Sequence, residues 1–408
     1  MKLKFLGGAG EVGRSGMVMS EGRMSVLCDY GMLPTKPPKF PLAPPHTNKV
    51  LLSHSHVDHC GMAPVAVARH GAGIVATPPT KDVSLLLIQD SLKIMRAEGY
   101  PLPYGDADVE DTERAFETAR FGEEVEIGGW KAALHHAGHI PGATMFEILS
   151  KRSLVYTGDI HTQDQRLVAG CRPVKCDILA IEGTYAGRDH PKRSKIEYEL
   201  LDKIEEVVSR GGKVILPAFA VGRTQELMLI LRGTGYDVRV DGMGKTVTKI
   251  YLQHQSYVRD ARKLRKASSE VSLVKGAQRR KAALNAEVII TTSGMLDGGP
   301  VLDYISRLRE DPKSAILLTG YQVEGTNGRR LLDSRQLVID DELHHIGCEI
   351  GFFDLSAHAG HSDLVRFIRD CNPDKVVLMH SDNRQALADA LGDRYELVLP
   401  ETGVEVEV

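Results

Sequence analysis

Four side chains that can bind a metal ion lie within six consecutive residues: His54, His56, Asp58 and His59. They follow an apolar run, so they are expected at a strand end, where ionisable groups must be solvated, paired or metal-bound. Strand alternation places the first two on one side of the chain and turns the last two elsewhere, which predicts two ions. Imidazole and carboxylate ligands without thiolate favour zinc, with iron or manganese as alternatives. A solvated surface loop is the competing interpretation, although this spacing is much more restrictive than a histidine pair.

Two ions need more ligands than this segment supplies, and three further candidates follow apolar strand patterns. They are His139 in HHAGHIPGA, Asp159 in VYTGD and His380 in VVLMHSD. Each of them alone is more often an ordinary polar group, but their recurrence at strand ends in chain order predicts a common site. Asp29, in VLCDYG, is better placed to orient a metal-bound histidine than to bind metal itself.

Length and composition are those of an ordinary globular protein. The 408 residues are 42% apolar and 26% charged, which predicts two to three domains. The six cysteines are scattered and form no CxxC pair, and the N-terminus lacks the apolar region of a secretory signal. No apolar run approaches the length of about 20 residues that a membrane span needs. We therefore expect a cytoplasmic chain with reduced thiols and no membrane partner.

The order of patterns predicts an α/β protein with an interrupted first domain. Short strands open the chain, and residues 124–159 show the period of two that is typical of a sheet. An acidic helix is expected from Asp106 to Arg120. From about Lys195, helices and strands alternate, which favours parallel βαβ units, and the last 50 or so residues return to strand, helix, strand. Gly8, Gly10 and Gly13 match a dinucleotide-binding fingerprint, but a strand hairpin follows them instead of a helix.

The successive motifs Asp29, HSHVDH, AGHIPGA and YTGD resemble those of the metallo-β-lactamase superfamily. The resemblance covers nearly the whole chain and implies an αββα sandwich with two zinc ions. It implies that one ion is held by His54, His56 and His139. The other would be held by Asp58, His59 and His380, with Asp159 bridging the pair.

Motifs in the second part are similar to those of the β-CASP branch, which acts on nucleic acids. They are EGTYAGRDHP, PAFAVGRTQEL, SGMLDGGP, GYQVEGTNGRRL, LSAHAG and MHSD. The resemblance implies a β-CASP α/β domain at 186–356, inserted between metallo-β-lactamase parts at 1–185 and 357–408. The chain resembles short prokaryotic, archaeal-type homologues of the cleavage and polyadenylation nucleases more closely than it resembles ribonuclease J. Ala143 and Gly360 depart from the family's usual Ser and Asp, and neither position is a ligand.

The signature positions of this branch correspond to Glu182, His358 and His380, and the histidine at 380 is implied to mark RNA-acting members. The resemblance predicts a zinc-dependent ribonuclease in RNA processing or decay, acting on single-stranded RNA as an endonuclease, a 5′-to-3′ exonuclease, or both. His358 is the candidate general acid, with Glu182 raising its pKa. Asp29 and Asp58 complete the predicted catalytic set.

Contacts to RNA are expected from cations outside the metal ligands. Between Lys245 and Lys281 there are eleven Lys or Arg against two acids, in a chain whose net charge is −3. This stretch is either a phosphate-binding face or a solvated helix face. Arg223, Ser293 and Arg329 are the further candidates for substrate binding.

The sequence leaves two other functional classes open. A small-molecule hydrolase of thioesters or lactones would use the same metal chemistry, but it would need no inserted domain with a basic stretch. A non-catalytic subunit of an RNA-processing complex would tolerate lost ligands, whereas every ligand position is filled in this chain. The sequence does not decide between zinc and manganese, or whether the chain works as a homodimer or in a larger complex.

Overall fold

The computed structural model describes residues 1–408, which form two compact units. Unit 1 comprises Met1–Asp164, Ala169–Asp189 and Ala357–Val408. Unit 2 comprises Gln165–Val168 and His190–Ser356, so most of it is a single insertion into unit 1. None of the helices combines the length and the apolar character needed to cross a membrane.

Strands dominate the first part of unit 1, whereas helices and strands alternate in unit 2. The first part of unit 1 contains β1 (Lys2–Gly7), β2 (Gly16–Glu21), β3 (Met24–Cys28), β4 (Lys49–Leu51), α1 (Val57–Cys60), α2 (Ala63–His70), β5 (Gly73–Ala76), α3 (Pro78–Ala97), α4 (Asp106–Ala115), β6 (Phe116–Thr118), β7 (Glu124–Glu126), β8 (Lys131–His136), β9 (Thr144–Leu149), β10 (Ser153–Tyr156) and β11 (Ile178–Glu182). Unit 2 contains α5 (Arg193–Ser209), β12 (Val214–Pro217), α6 (Arg223–Leu231), β13 (Val238–Asp241), α7 (Gly244–Gln253), α8 (Ala261–Glu270), β14 (Ser272–Leu273), α9 (Arg280–Ala283), β15 (Val288–Thr291), α10 (Pro300–Leu308), β16 (Ala315–Leu318), α11 (Asn327–Ser334), β17 (Gln336–Ile339), β18 (Glu342–His345) and β19 (Glu349–Phe352). Unit 1 ends with α12 (His361–Cys371), β20 (Lys375–Met379), α13 (Arg384–Leu391), β21 (Glu396–Val398) and β22 (Glu405–Glu407).

Unit 1 is a sandwich of two seven-stranded sheets. Their strand orders are β22-β1-β2-β3-β4-β5-β6 and β21-β20-β11-β10-β9-β8-β7. Side chains such as Phe5 and Met17 from the first sheet and Phe146 and Ile148 from the second form one core. A second core lies between the first sheet and helices α2, α3 and α4. The predicted αββα arrangement is confirmed, because each sheet buries one face against the other sheet.

Two local expectations have different outcomes. Strands β2 and β3 pair antiparallel directly after the glycine turn, which confirms a hairpin where a dinucleotide site needs a helix. The acidic helix expected over Asp106–Arg120 is too long, because α4 ends at Ala115 and Phe116–Thr118 pairs with β5 as an edge strand. Phe116 packs against the core between sheet and helices, and this packing outweighs the helical pattern of the preceding residues.

Unit 2 contains a six-stranded sheet in the order β14-β13-β15-β12-β16-β19, and every neighbouring pair in it is parallel. This confirms the βαβ units expected from the alternation of helices and strands. Strands β17 and β18 form a separate antiparallel pair. A core of buried aliphatic residues with Tyr304 lies against the sheet.

Asp241, at the end of β13, is the polar centre of unit 2. Its side chain is 4% exposed and accepts hydrogen bonds from Gly242 N (2.7 Å), Lys245 Nζ (3.1 Å), Arg280 Nε (2.9 Å) and Tyr304 Oη (3.1 Å). Burial raises the pKa of Asp241, but these donors outweigh burial and hold the pKa below its usual value. The carboxylate therefore joins β13, α7, α9 and α10 while it is ionised.

We expect Asp241→Asn to destabilise the protein by about 1.5–3 kcal/mol at neutral pH, because it weakens the charge-assisted hydrogen bonds to Lys245 and Arg280, whose side chains are partly exposed. The pKa of Asp241 is lower in the folded protein than in the unfolded chain. Asp241 therefore adds to the free energy of unfolding at a pH above its pKa in the unfolded chain. This contribution is lost as the pH falls through its pKa in the folded protein. Urea denaturation of both proteins between pH 7 and pH 3 measures the difference.

Asp237→Asn, at the residue before the same strand, is the control, because Asp237 is 44% exposed and pairs only with Arg239. We expect little change from it. Equal unfolding midpoints for the Asp241 and Asp237 variants at pH 7 would show that the buried carboxylate does not stabilise unit 2.

Candidate metal centre

The HSHVDH segment bridges β4 and the short helix α1. His54 and His56 lie in the extended chain after β4, whereas Asp58 and His59 lie in α1. Gly31 allows this placement, because a Cβ there would lie 1.8 Å from the carbonyl oxygen of Asp58. The change from extended chain to helix therefore turns the last two candidate ligands away from the first two.

Three imidazole nitrogens converge in a first ligand group, made of His54, His56 and His139. His56 Nδ1 lies 3.1 Å from His54 Nε2 and 3.0 Å from His139 Nε2. The side chains of His54 and His139 are 0% and 2% exposed. Three ring nitrogens at this separation, facing one another in a buried place, are arranged as they would be around one shared ion.

A second ligand group consists of Asp58, His59 and His380. Asp58 Oδ2 lies 3.8 Å from His59 Nε2 and 3.9 Å from His380 Nε2. Asp159 lies between the two groups. Its Oδ1 is 3.4 Å from His59 Nε2 and 3.7 Å from His380 Nε2, and its Oδ2 is 3.4 Å from His54 Nε2. Each oxygen of this one carboxylate therefore faces a different group.

The side chains fit a bound cation. His59 Nε2, His380 Nε2 and Asp159 Oδ1 are buried, and none of them makes a hydrogen bond. Buried polar atoms without a partner are costly, and here three of them face a common point. Nitrogen and carboxylate ligands at this number and burial suit divalent zinc, and no thiolate is near enough to join either group.

Asp29 positions histidine rings of the ligand groups through hydrogen bonds. Its buried carboxylate accepts hydrogen bonds from Ser53 N (2.7 Å), Ser53 Oγ (2.6 Å), His59 Nδ1 (2.7 Å) and Tyr156 Oη (2.8 Å). Ser53 Oγ also lies 3.0 Å from His54 Nδ1. Asp29 thus orients one histidine of each group, as a residue that positions the ligands.

The other histidines have partners of their own. His139 Nδ1 lies 2.8 Å from Ala357 O, and His380 Nδ1 lies 2.7 Å from Ser15 Oγ. Metal binding through Nε2 places the ring proton on Nδ1, where these oxygens accept it. Sequence reasoning missed Ser15, Ser53 and Tyr156, although Ser53 immediately precedes the HSHVDH segment.

The electrostatics keep the first group neutral. Burial lowers the pKa of His54 and His139 and lowers that of His56 to about 4, so these rings are neutral at neutral pH and each has one unprotonated nitrogen that can bind a metal ion. Burial also lowers the pKa of His59, but Asp159, Asp58 and Asp29 outweigh burial and hold it well above its usual range. A divalent cation supplies the positive charge that these three carboxylates otherwise take from the proton on His59.

Beside Asp159 lies a second histidine–carboxylate pair. His358 Nδ1 is 3.0 Å from Glu182 Oε1, and His358 Nε2 points towards Asp159 Oδ2 at 3.9 Å. Burial lowers the pKa of His358, but Glu182 and Asp159 outweigh burial and raise it to about 9. The structure therefore brings His358 and Glu182 together next to the ligand groups.

The loop after Asp159 holds this pair in place, which sequence reasoning also missed. Ile160 N donates to Glu182 Oε1 at 2.9 Å, and Ala359 N donates to Ile160 O at 2.8 Å. The buried ring of His161 places Nδ1 2.9 Å from His358 O. Two adjacent residues thus fix both the carboxylate and the backbone of the candidate acid.

The three predicted substrate contacts lie in unit 2. Arg223 is buried at the start of α6, Ser293 is half-buried after β15, and Arg329 is exposed on α11. Arg329 Nε binds Asp333 at 2.8 Å within the same helix. The roles of these three residues stay predictions.

Three known protein families match successive parts of the chain. Residues 34–218 match the metallo-beta-lactamase superfamily, and residues 224–331 match the Beta-Casp domain. Residues 344–399 match the Zn-dependent metallo-hydrolase RNA specificity domain. A relative from Methanocaldococcus jannaschii, named probable RNase MJ4, is 32% identical over 100% of both chains. The chain belongs to the β-CASP branch of the metallo-β-lactamase superfamily.

Two further relatives have a similar sequence identity to this chain. RNase aCSPSF2 from Saccharolobus solfataricus is 33% identical over 100% of this chain and 85% of its own. Transcription termination factor FttA from M. jannaschii is 34% identical over 95% of this chain and 68% of its own. A solved protein of unknown function from Enterococcus faecalis V583 shares the fold, with a TM-score of 0.65 at 13% identity over 99% of both chains. Membership in this superfamily implies divalent metal at the His/Asp clusters.

We expect Asp29→Asn to weaken metal binding by about 10–100-fold, because an amide cannot accept all the hydrogen bonds that orient His54 and His59. Competition with a chromophoric chelator measures the affinity for zinc. Asp111→Asn, at a side chain that is 54% exposed, is the control and should bind zinc as the wild type does. Wild-type affinity in the Asp29 variant would mean that the ligands do not depend on this carboxylate.

Proposed function

We propose that this β-CASP protein is a two-zinc ribonuclease that hydrolyses phosphodiester bonds in single-stranded RNA. The observation that carries the proposal is the position of Asp159, which faces a ligand group with each oxygen and has His358 Nε2 3.9 Å away. Two adjacent candidate cation sites beside a candidate proton donor are an arrangement that can hydrolyse a phosphodiester.

The relatives support RNA as the substrate. Two of them are named as RNases, a third as a transcription termination factor, and a C-terminal part of the chain matches an RNA specificity domain. The histidine-rich ligand set favours zinc over manganese. An RNA substrate and six cysteines without disulfides favour a cytoplasmic location.

Ions held by the two ligand groups would lower the pKa of a water molecule and stabilise the negative charge that develops at phosphorus. The water oxygen forms a new bond to phosphorus while the bond to the leaving oxygen breaks. His358 Nε2 donates its proton to that leaving oxygen, so the products are a phosphate monoester end and a hydroxyl end. No co-reactant other than water is needed.

Glu182 maintains His358 in the form that can act as an acid. Its carboxylate accepts the Nδ1 proton at 3.0 Å, which leaves Nε2 directed towards Asp159. Cations beside Asp159 would reduce the contribution of that carboxylate to the raised pKa of His358. The charge of Glu182, which is completely buried, would still keep the pKa of His358 raised.

The test is cleavage of a single-stranded RNA labelled at its 5′ end by the zinc-loaded protein. We expect internal fragments or labelled mononucleotide from the wild type, and no product after chelation or in His56→Ala. His46→Ala, a substitution of an exposed histidine outside the ligand groups, is the control and should cleave normally. Absence of cleavage with zinc or manganese would reject the ribonuclease. Turnover of thioesters or lactones instead would then establish a small-molecule hydrolase.

A second expectation concerns His161 as a positioning residue. We expect His161→Ala to lower kcat by about 10²-fold at unchanged zinc content, because His358 loses the bond that fixes its backbone. His161→Asn should restore most of the activity, since the amide Nδ2 can donate from nearly the position of Nδ1. Single-turnover cleavage with zinc analysis of each variant measures both. Equal losses in the two variants would indicate a general packing role instead.

A further inference from the structure

Helix α8 in unit 2 presents a strongly positive face. Leu264 and Ala267 are buried, which fixes the inward side of the helix. The helical period then places Arg262, Arg265 and Lys266 on the opposite side, where all three are exposed. We call these three residues the α8 basic face.

The acidic residues of this helix do not neutralise that face. Asp260 caps the helix through Lys263 N at 2.9 Å, and its other oxygen pairs with Lys263 Nζ at 3.2 Å. Glu270 accepts Gly233 N at 2.8 Å and reaches Lys266 Nζ only at 3.9 Å. Neither Arg262 nor Arg265 forms an ion pair, although the charge of Arg262 helps to lower the pKa of Asp260. The face therefore keeps a net positive charge.

The following segment adds cations on an anchored backbone. Lys245 Nζ donates to Val274 O at 2.6 Å, and Arg280 binds Asp241 at 2.9 Å. The network of Asp241 thus holds both ends of residues 274–280. Lys275, Arg279 and Lys281 are exposed and have no ion pair, and we call them the 275–281 cations.

A polyanion explains this concentration of charge better than an apolar protein interface. Like charges three or four residues apart on a helix destabilise it, and the chain as a whole is slightly acidic. Ser269 completes the exposed surface of the helix, which therefore offers no apolar side chain. Protein interfaces have an apolar centre, whereas a row of exposed Lys and Arg fits a phosphate backbone.

We propose that the α8 basic face and the 275–281 cations bind the phosphates of single-stranded RNA outside the nucleotides that react. This proposal rests on the proposed ribonuclease function, and it adds a site that contributes affinity and no chemistry. Longer RNA would therefore bind more tightly than short RNA, and the difference would decrease as salt rises.

The decisive variant replaces Arg262, Arg265 and Lys266 together by Gln, which leaves Leu264, Ala267 and the cap of the helix intact. We measure kcat and KM against KCl concentration for an RNA of about 30 nucleotides and one of about 6. We expect KM for the long RNA to rise at least about tenfold, with kcat and the KM of the short RNA unchanged. The salt dependence of log KM should become shallower by about 2, at about 0.7 per lost contact.

The matched control replaces Arg114, Arg120 and Lys131 by Gln, because it removes the same charge from exposed positions of unit 1. It should behave as the wild type, which separates local binding from the change in net charge. Anisotropy of a fluorescent long RNA, measured in parallel, reports binding independently of cleavage. Weaker binding by the α8 variant alone supports the site even if no RNA is cut.

Two results would overturn the proposal. If the α8 variant binds and cleaves the long RNA as the control does, the RNA contact is wrong while the ribonuclease assignment stands. An acidic protein partner would then be the better explanation of the face. If kcat on the short RNA falls together with affinity, the face acts on the chemistry or on folding, and a separate binding site is excluded.

Discussion

The carboxylate of Asp29 connects the two sheets of unit 1 beside the two ligand groups. It follows β3 of the first sheet and accepts a hydrogen bond from Tyr156, which ends β10 of the second. Asp29 adopts a left-handed backbone conformation, with φ of 56°, which is uncommon outside glycine. This strained backbone conformation places one hydrogen-bond acceptor next to both ligand groups.

The other site residues follow from the same geometry. Asp159, Glu182 and His380 lie at or just after the carboxyl ends of β10, β11 and β20, which are neighbouring parallel strands. Parallel strands bring their ends to one edge of a sheet, so residues far apart in sequence meet there. His380, with φ of 48°, shares the strained conformation of Asp29. The apolar strands thus determine where the polar groups gather.

The structure brings together the side chains whose sequence signal was local and chemically restrictive. The HSHVDH segment and the strand-end histidines converge in the two groups that the sequence predicts, and their role as metal ligands stays a prediction. Ser15, Ser53 and Tyr156 were missed because serine and tyrosine occur everywhere, and only three-dimensional contacts show what they hold. Residues 165–168 belong to unit 2 although their neighbours belong to unit 1, and no pattern in the sequence marks that excursion.

The hydrogen bond between Glu182 and His358 joins residues that are 176 positions apart, on the two sides of the inserted unit. Within unit 1, Asp189 binds Ser362 where the chain leaves and returns. Closing so long a loop costs conformational entropy, which only a folded insert with adjacent ends can offset. A nascent chain contains the three histidines of the first ligand group long before it contains His358, the candidate acid. Neither the candidate acid His358 nor the second ligand group, which includes His380, can be complete until the chain beyond the insert has been synthesised.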